Sequence, residues 1–273
     1  MSRLLAGAGV VWIASTVAAA AAEPPAPTLL PQMGPVWTVT VGVEGRVVPS
    51  YQGSDSFVFV PLPLFDIRRA GTPRHFHGPR DGFGFGIVDT GRFRAGPAFK
   101  VRLPRREGDD DDLRGLDDVD WTLEAGVFAE IWPAEWLRGR VELRQGIGGH
   151  HGLVSDLMAD VVVPVTPQLT LSGGPRMTLA SGAALSPYFS VTPQESALSG
   201  LQVYDAGGGL YSFGAGAQAR YAWSPQWATH VFVEYERLTS GAANSPLVTQ
   251  LGSRDQLQFG LGVTYSFDMR ALW

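Results

Sequence analysis

The residues with the most chemical potential are five histidines, a run of aspartates and a set of charges that alternate with apolar residues. A hydrolytic pair carried on one strand needs a His with a Ser or Asp two positions away, because such residues share a face. His75, His77, His150, His151 and His230 offer no such pair: none has Ser two residues on, and none has Asp two residues before. The adjacent histidines of Gly148-Gly-His-His-Gly152 would point oppositely in a strand, and no carboxylate at helical spacing completes a metal site. They read as a polar, Gly-rich loop. Asp109–Asp112, followed by Asp117, Asp118 and Asp120, sets its acids consecutively where a calcium loop wants them at alternate positions, so it reads as a solvated loop. These motifs supply no catalytic centre, no metal site and no cofactor.

The alternating charges carry more information. From Asp120 to Ile131, Trp121, Leu123, Ala125, Val127, Ala129 and Ile131 fall on one strand face, opposite Asp120, Thr122, Glu124, Gly126 and Glu130. The dyad recurs in Arg92–Leu103, Leu137–Ile147, Gln168–Leu179 and Gln256–Phe267, at the length a tilted strand needs to cross a bilayer. Further strands are expected at Trp37–Val48, Phe57–Ile67, Gly82–Val88, Asp156–Val165, Gly208–Tyr221 and Ala228–Leu238. Trp121, Trp132, Trp136, Trp223 and Trp227 cluster near strand ends, as interfacial girdles require.

The fold expected is all-β: a single-chain antiparallel transmembrane β-barrel of 10–12 strands, 12 favoured because bacterial barrels are usually even. Short turns at Val165–Gln168 and Trp223–Trp227 face the periplasm, and the longer stretches Pro104–Val119, Gly148–Ser155, Ser181–Gly207 and Ser240–Arg254 face outward. Arg92, Arg94, Lys100, Arg102, Glu124, Glu130, Arg138, Arg140, Glu142, Arg144, Arg176, Arg220, Glu234 and Glu236 then line the lumen. They either set the ion preference of an aqueous pore or plug a barrel too narrow to conduct. A Val127→Arg change on the lipid face is expected to be costly, and Glu124→Gln in the lumen much milder.

The N-terminus agrees with export. Arg3, the apolar run Leu4–Ala22 and its alanine end read as a secretory signal, with cleavage expected between Ala22 and Glu23. A disordered lead-in at 23–35, a barrel at 36–267 and a short tail at 268–273 complete the expected organisation. Cysteine is absent, so there is no disulfide framework. Without Arg3 the chain carries 20 basic and 26 acidic residues, a net charge of −6 that gives nucleic acid no footprint. Beyond the leader no apolar run is long enough for a transmembrane helix.

Several short signatures resemble the MltA-interacting protein (MipA) / OmpV family. They are Pro49-Ser-Tyr-Gln-Gly-Ser-Asp55 with Pro61-Leu-Pro63; Gly148-Gly-His-His-Gly152; Ser199-Gly-Leu201 with Tyr204 and Gly207–Gly209; Tyr235 and Leu238 leading to Asn244-Ser-Pro246; and Gly262-Val-Thr-Tyr-Ser-Phe267. The resemblance implies a Gram-negative outer-membrane barrel bathed in outer-membrane lipid and lipopolysaccharide. It also implies an association with a murein lytic transglycosylase and a scaffolding role with a murein synthase; other members are described as surface antigens, adhesins or pores. No catalytic residues come with it, and a lipid-acting enzyme is the least favoured reading. The family's strand signal ends on an aromatic, whereas Phe267 here is followed by Asp268–Trp273.

Overall fold

The computed structural model describes residues 36–72 and 74–270. The expected signal, its cleavage point at Ala22 and Glu23, the lead-in and the last residues of the tail lie outside them. One antiparallel sheet of 12 strands makes the wall. In chain order these are β1 (Val36–Pro49), β2 (Phe57–Arg69), β3 (Phe83–Gly84), β4 (Val88–Asp89), β5 (Phe93–Arg102), β6 (Thr122–Ala134), β7 (Leu137–Gly148), β8 (Leu153–Pro164), β9 (Leu169–Ala180), β10 (Gly209–Ala222), β11 (Trp227–Leu238) and β12 (Asp255–Arg270). Neighbours along the wall run β2-β1-β12-β11-β10-β9-β8-β7-β6-β5-β3, with β4 also on β5.

Period-two patterning turns the usual core inside out. Val127, Leu143, Leu261 and Phe259 are exposed on the outer face, whereas the largest fully enclosed side chains include Arg138, Arg144, Glu124, Glu130, Glu142 and Glu234. An apolar exterior around a charged interior suits lipid, because ladder pairing satisfies the backbone where no water can. Exposed Trp223 packs edge-on against Tyr221 at 4.6 Å, and Trp227 lies tilted against Tyr265 at 4.8 Å, beside one turn of the periplasmic rim. Trp132 departs from the girdle expected of it. It shares the even parity of Phe128 and Glu130, so alternation turns its ring inward, where Nε1 donates to Glu130 and the ring meets Phe76.

The parity of the wall has a physical explanation. Strands β3 and β4 are two halves of one interrupted strand that pairs with β5 from Phe99 down to Arg94. That strand and β2 both descend toward the periplasm, so between them the chain must climb back. It does so through the lumen: residues 74–82 rise inside the barrel, where Arg80 and Asp81 meet side chains of β7, β9 and β11. Among the described residues no ladder joins β2 to β3 or β4. Pro61 and Pro63, which lack N–H groups, stand on that edge strand.

Two boundaries differ from expectation. Strand β8 begins at Leu153, so the His-containing loop is a tight connection, and Gly148 adopts a positive φ of 109° to make it. Strand β12 continues past Phe267 to Arg270, which lies opposite Val36.

Candidate functional site

The lumen is the candidate site, and alternation delivers its charges. On β6, β7, β8 and β9 the even-numbered residues point inward: Glu124 and Glu130; Arg138, Arg140, Glu142 and Arg144; Asp156 and Asp160; Arg176 and Thr178. At the centre, Arg138 reaches Asp81 at 2.6 Å, Glu130 at 2.8 Å and Asp160 at 3.0 Å. Arg140 bridges Glu130 at 3.1 Å and Glu142 at 2.8 Å. Arg144 joins Glu124 at 2.9 Å and also pairs with Glu142 and Asp156. Arg80, from the climbing segment, pairs with Glu234, lies 2.9 Å from Glu236 and donates to Thr178 at 2.9 Å. Each of these four guanidiniums is therefore compensated by two or more carboxylates, the arrangement that makes enclosed charge tolerable.

The other expected lumen residues sort by depth. Arg94 pairs with Asp89 and Glu130, Lys100 lies 3.6 Å from Asp156, Arg102 pairs with Glu124, and Arg176 with Asp160. Arg92 is not in the lumen: it precedes β5 in the periplasmic turn, where the ladder has ended, and is exposed. Arg220 faces inward without a carboxylate partner among the described residues. Sequence reasoning missed Arg80 and Asp81, which sit in a segment without periodicity. It also missed Glu44, Arg46, Asp156 and Asp160, which obey the same alternation and were open to the same test.

A cap closes the outer mouth. It is built from α1 (Gly182–Phe189), α2 (Pro193–Ser199), α3 (Ser240–Ala243), α4 (Pro246–Thr249) and two single turns at Glu107–Asp109 and Asp111–Leu113. Local chemistry sets α2: Thr192 and Glu195 form a reciprocal capping box, Pro193 opens the helix, and Gly200 ends it with a left-handed φ of 79°. Tyr51, Leu113, Leu116, Val191, Leu201 and Leu247 form one buried apolar cluster, and Phe189, Tyr188, Val154 and Val248 belong to a second. Burying each large side chain contributes about 1.5–3 kcal/mol.

The family signatures do structural work in this cap. Ser50 and Ser56 hydroxyls donate to Asp110 at 2.5 and 2.8 Å, and the Gly53 N–H donates to Gln256 at 3.0 Å. Tyr204 donates to the Gly241 carbonyl at 2.7 Å, and Ser245 to that of Phe189 at 2.6 Å. His150 is buried beneath the cap, 3.1 Å from Glu124, while His151 is exposed. His230 pairs with Glu44, and His75 lies 3.5 Å from Asp89. Among the described residues no His ring nitrogen bonds a Ser or Thr hydroxyl, and no group of His, Asp and Glu has the geometry to hold a metal ion.

Electrostatics couples the cap to pH. Burial alone would raise Asp110 and Glu195. The Ser50 and Ser56 hydroxyls hold Asp110 below the usual carboxylate range instead, and the backbone N–H groups of Thr192 and Asp117 do the same for Glu195. A depressed carboxylate adds stability that is present above its unfolded pKa, about 4, and lost as pH falls through the folded value. Burial and the neighbouring Asp110 raise Asp112, which acts in the opposite sense. Protonating Asp110 and Glu195 removes the acceptors that tie Ser50, Ser56, Thr192 and Asp117 together, so limited proteolysis of the cap is expected to accelerate below about pH 4 while the wall stays resistant. Equal cleavage at pH 7 and pH 3 would contradict this.

The family model described as "MltA-interacting protein MipA" matches residues 41–267. No curated protein matches the chain. Solved structures similar to it include the KdgM porin, 9% identical over 84% of this chain and 99% of that one, with a TM-score of 0.38. An outer membrane channel from Pseudomonas putida F1 is 11% identical over 90% and 100%, with a TM-score of 0.41. The outer membrane protein OprG from Pseudomonas aeruginosa is 12% identical over 86% and 97%, with a TM-score of 0.30. The family match starts within β1 and ends within β12, taking in the wall, the lumen charges and the cap. The chain is a member of the MltA-interacting protein MipA family, an outer-membrane β-barrel.

Proposed function

We propose that this barrel is a closed, non-catalytic scaffold of the cell envelope that holds a murein lytic transglycosylase, and with it a murein synthase, at the outer membrane. One observation carries the closed-barrel part: Arg138, fully enclosed, is held by carboxylates from β6, β8 and the climbing segment together. Charges fixed in mutual pairs across the lumen, beneath a cap with its own apolar core, favour a plug over a diffusion pore. The family's name supplies the murein partner. Outer-membrane lipid and lipopolysaccharide are the partners of the exposed apolar belt.

Crosslinking intact envelopes and purifying the barrel tests the scaffold. A murein lytic transglycosylase is expected to co-purify, and to be lost when the crosslinker is omitted in high salt. Repeated recovery of the folded barrel without any murein enzyme would contradict the scaffold reading.

A further inference from the structure

Eight lumenal arginines (Arg46, Arg80, Arg94, Arg102, Arg138, Arg140, Arg144 and Arg176) each have a carboxylate within 3.5 Å. Three arginines at the periplasmic end break this rule. Arg68 stands one residue before the end of β2, Arg74 lies just beyond that strand, and Arg220 is two residues from the end of β10. Arg68 reaches only Asp66, at 3.9 Å, while Arg74 and Arg220 have no carboxylate within 4.0 Å among the described residues. The three guanidiniums nevertheless lie within charge–charge range of one another.

Hydrogen bonding around them is incomplete. Arg68 Nε and Nη1 are shielded from solvent and have no hydrogen-bond partner. Gln218, two residues before Arg220 on the same inward face, has its side-chain oxygen buried and unpartnered as well. Thr170 and Ser172 of β9 stand opposite Arg220 and Gln218, adding hydroxyl donors at the same level. His230, opposite Arg220 on β11, is committed to Glu44. Three positive charges against one carboxylate leave an excess of two in a confined, partly desolvated space, a costly arrangement unless an anion completes it.

The geometry points to a receptor for an oxyanion, formed by Arg68, Arg74 and Arg220 and open to the periplasm. Guanidinium forks match carboxylate and phosphate oxygens in paired hydrogen bonds. The cap and the Arg138 plug close the outer side, so the ligand enters from below, where Arg74 is exposed. Two periplasmic sources present this chemistry: free carboxylates of murein peptides, and phosphate, either inorganic or on inner-leaflet lipid. The site stands whether or not a murein enzyme docks on the barrel.

Titration calorimetry on the refolded full-length barrel tests it, with inorganic phosphate and an acidic muropeptide as separate probes in about 0.15 M salt. Saturable binding of at least one probe is expected. Arg220→Gln should weaken it at least about tenfold, and Arg220→Lys less, because charge survives while the fork is lost. Arg74→Gln, outside the strands, should weaken binding without touching the wall. Arg114→Gln, on an exposed outer turn, should bind like the parent. Preference for the muropeptide identifies a murein ligand, and preference for phosphate a phosphate-bearing one. Failure of both probes to bind folded barrel, or unchanged binding in Arg74→Gln and Arg220→Gln alike, would overturn the proposal.

Discussion

Replacing Arg138 with Ala is expected to destabilise the barrel by about 3–5 kcal/mol, the cost of removing one partner from a buried charge network. The loss leaves Asp81, Glu130 and Asp160 facing one another without their shared cation. Urea-dependent folding into lipid vesicles, followed by heat-modifiable gel mobility, measures it. The partner change Asp81→Asn distinguishes a network from a lone contact: in the Arg138→Ala background it should cost much less than in the parent, because the charge it removes is already uncompensated. Additive losses, or a cost under about 1 kcal/mol for Arg138→Ala, would mean that the lumen is hydrated and its charges act singly.

The second large effect reverses an expectation formed from the strand pattern. Glu124→Gln looked mild as a lumen-facing change, beside a costly Val127→Arg on the lipid face. Val127 is indeed exposed on the outer surface, and an arginine there should cost about 2–4 kcal/mol near the bilayer midplane. Glu124, however, is completely buried and receives Arg102, Arg144 and His150 at once. Neutralising it strands Arg102, which has no other carboxylate among the described residues, and takes one of three from Arg144, so a loss of about 3 kcal/mol is expected. The two variants should thus be comparably unstable in the same folding assay. A near-neutral Glu124→Gln would restore the picture of a wet, tolerant lumen.

That reversal shows where reading the chain stopped. Period-two alternation is a local property, and it located the wall, the inward face and most of the charged residues on it, though not Glu44, Arg46, Asp156 or Asp160. What a strand pattern does not encode is distance across the lumen. Whether Glu124 meets water or two arginines depends on strands far away in sequence and on the climbing segment. Arg80 and Asp81 stayed hidden because an irregular chain inside a barrel has no period to detect. The segments that the alternation marks as strands number eleven, an odd count, and that was itself the signal: two descending strands in succession demand a return path, and that path runs through the lumen. The cap was equally unreadable, since it depends on contacts such as the Gly53 N–H with Gln256 that join loops from different ends of the chain.

Single-channel recording is the most direct test of a closed lumen. Refolded barrel, shown to be folded by heat-modifiable mobility, is inserted into a planar bilayer and held at both polarities. Electrical silence is expected if the paired charges plug the lumen beneath the cap, as proposed. Stepwise conductance from folded barrel, with an ion preference altered by Arg140→Gln, would contradict the plug and make the lumen charges selectivity residues.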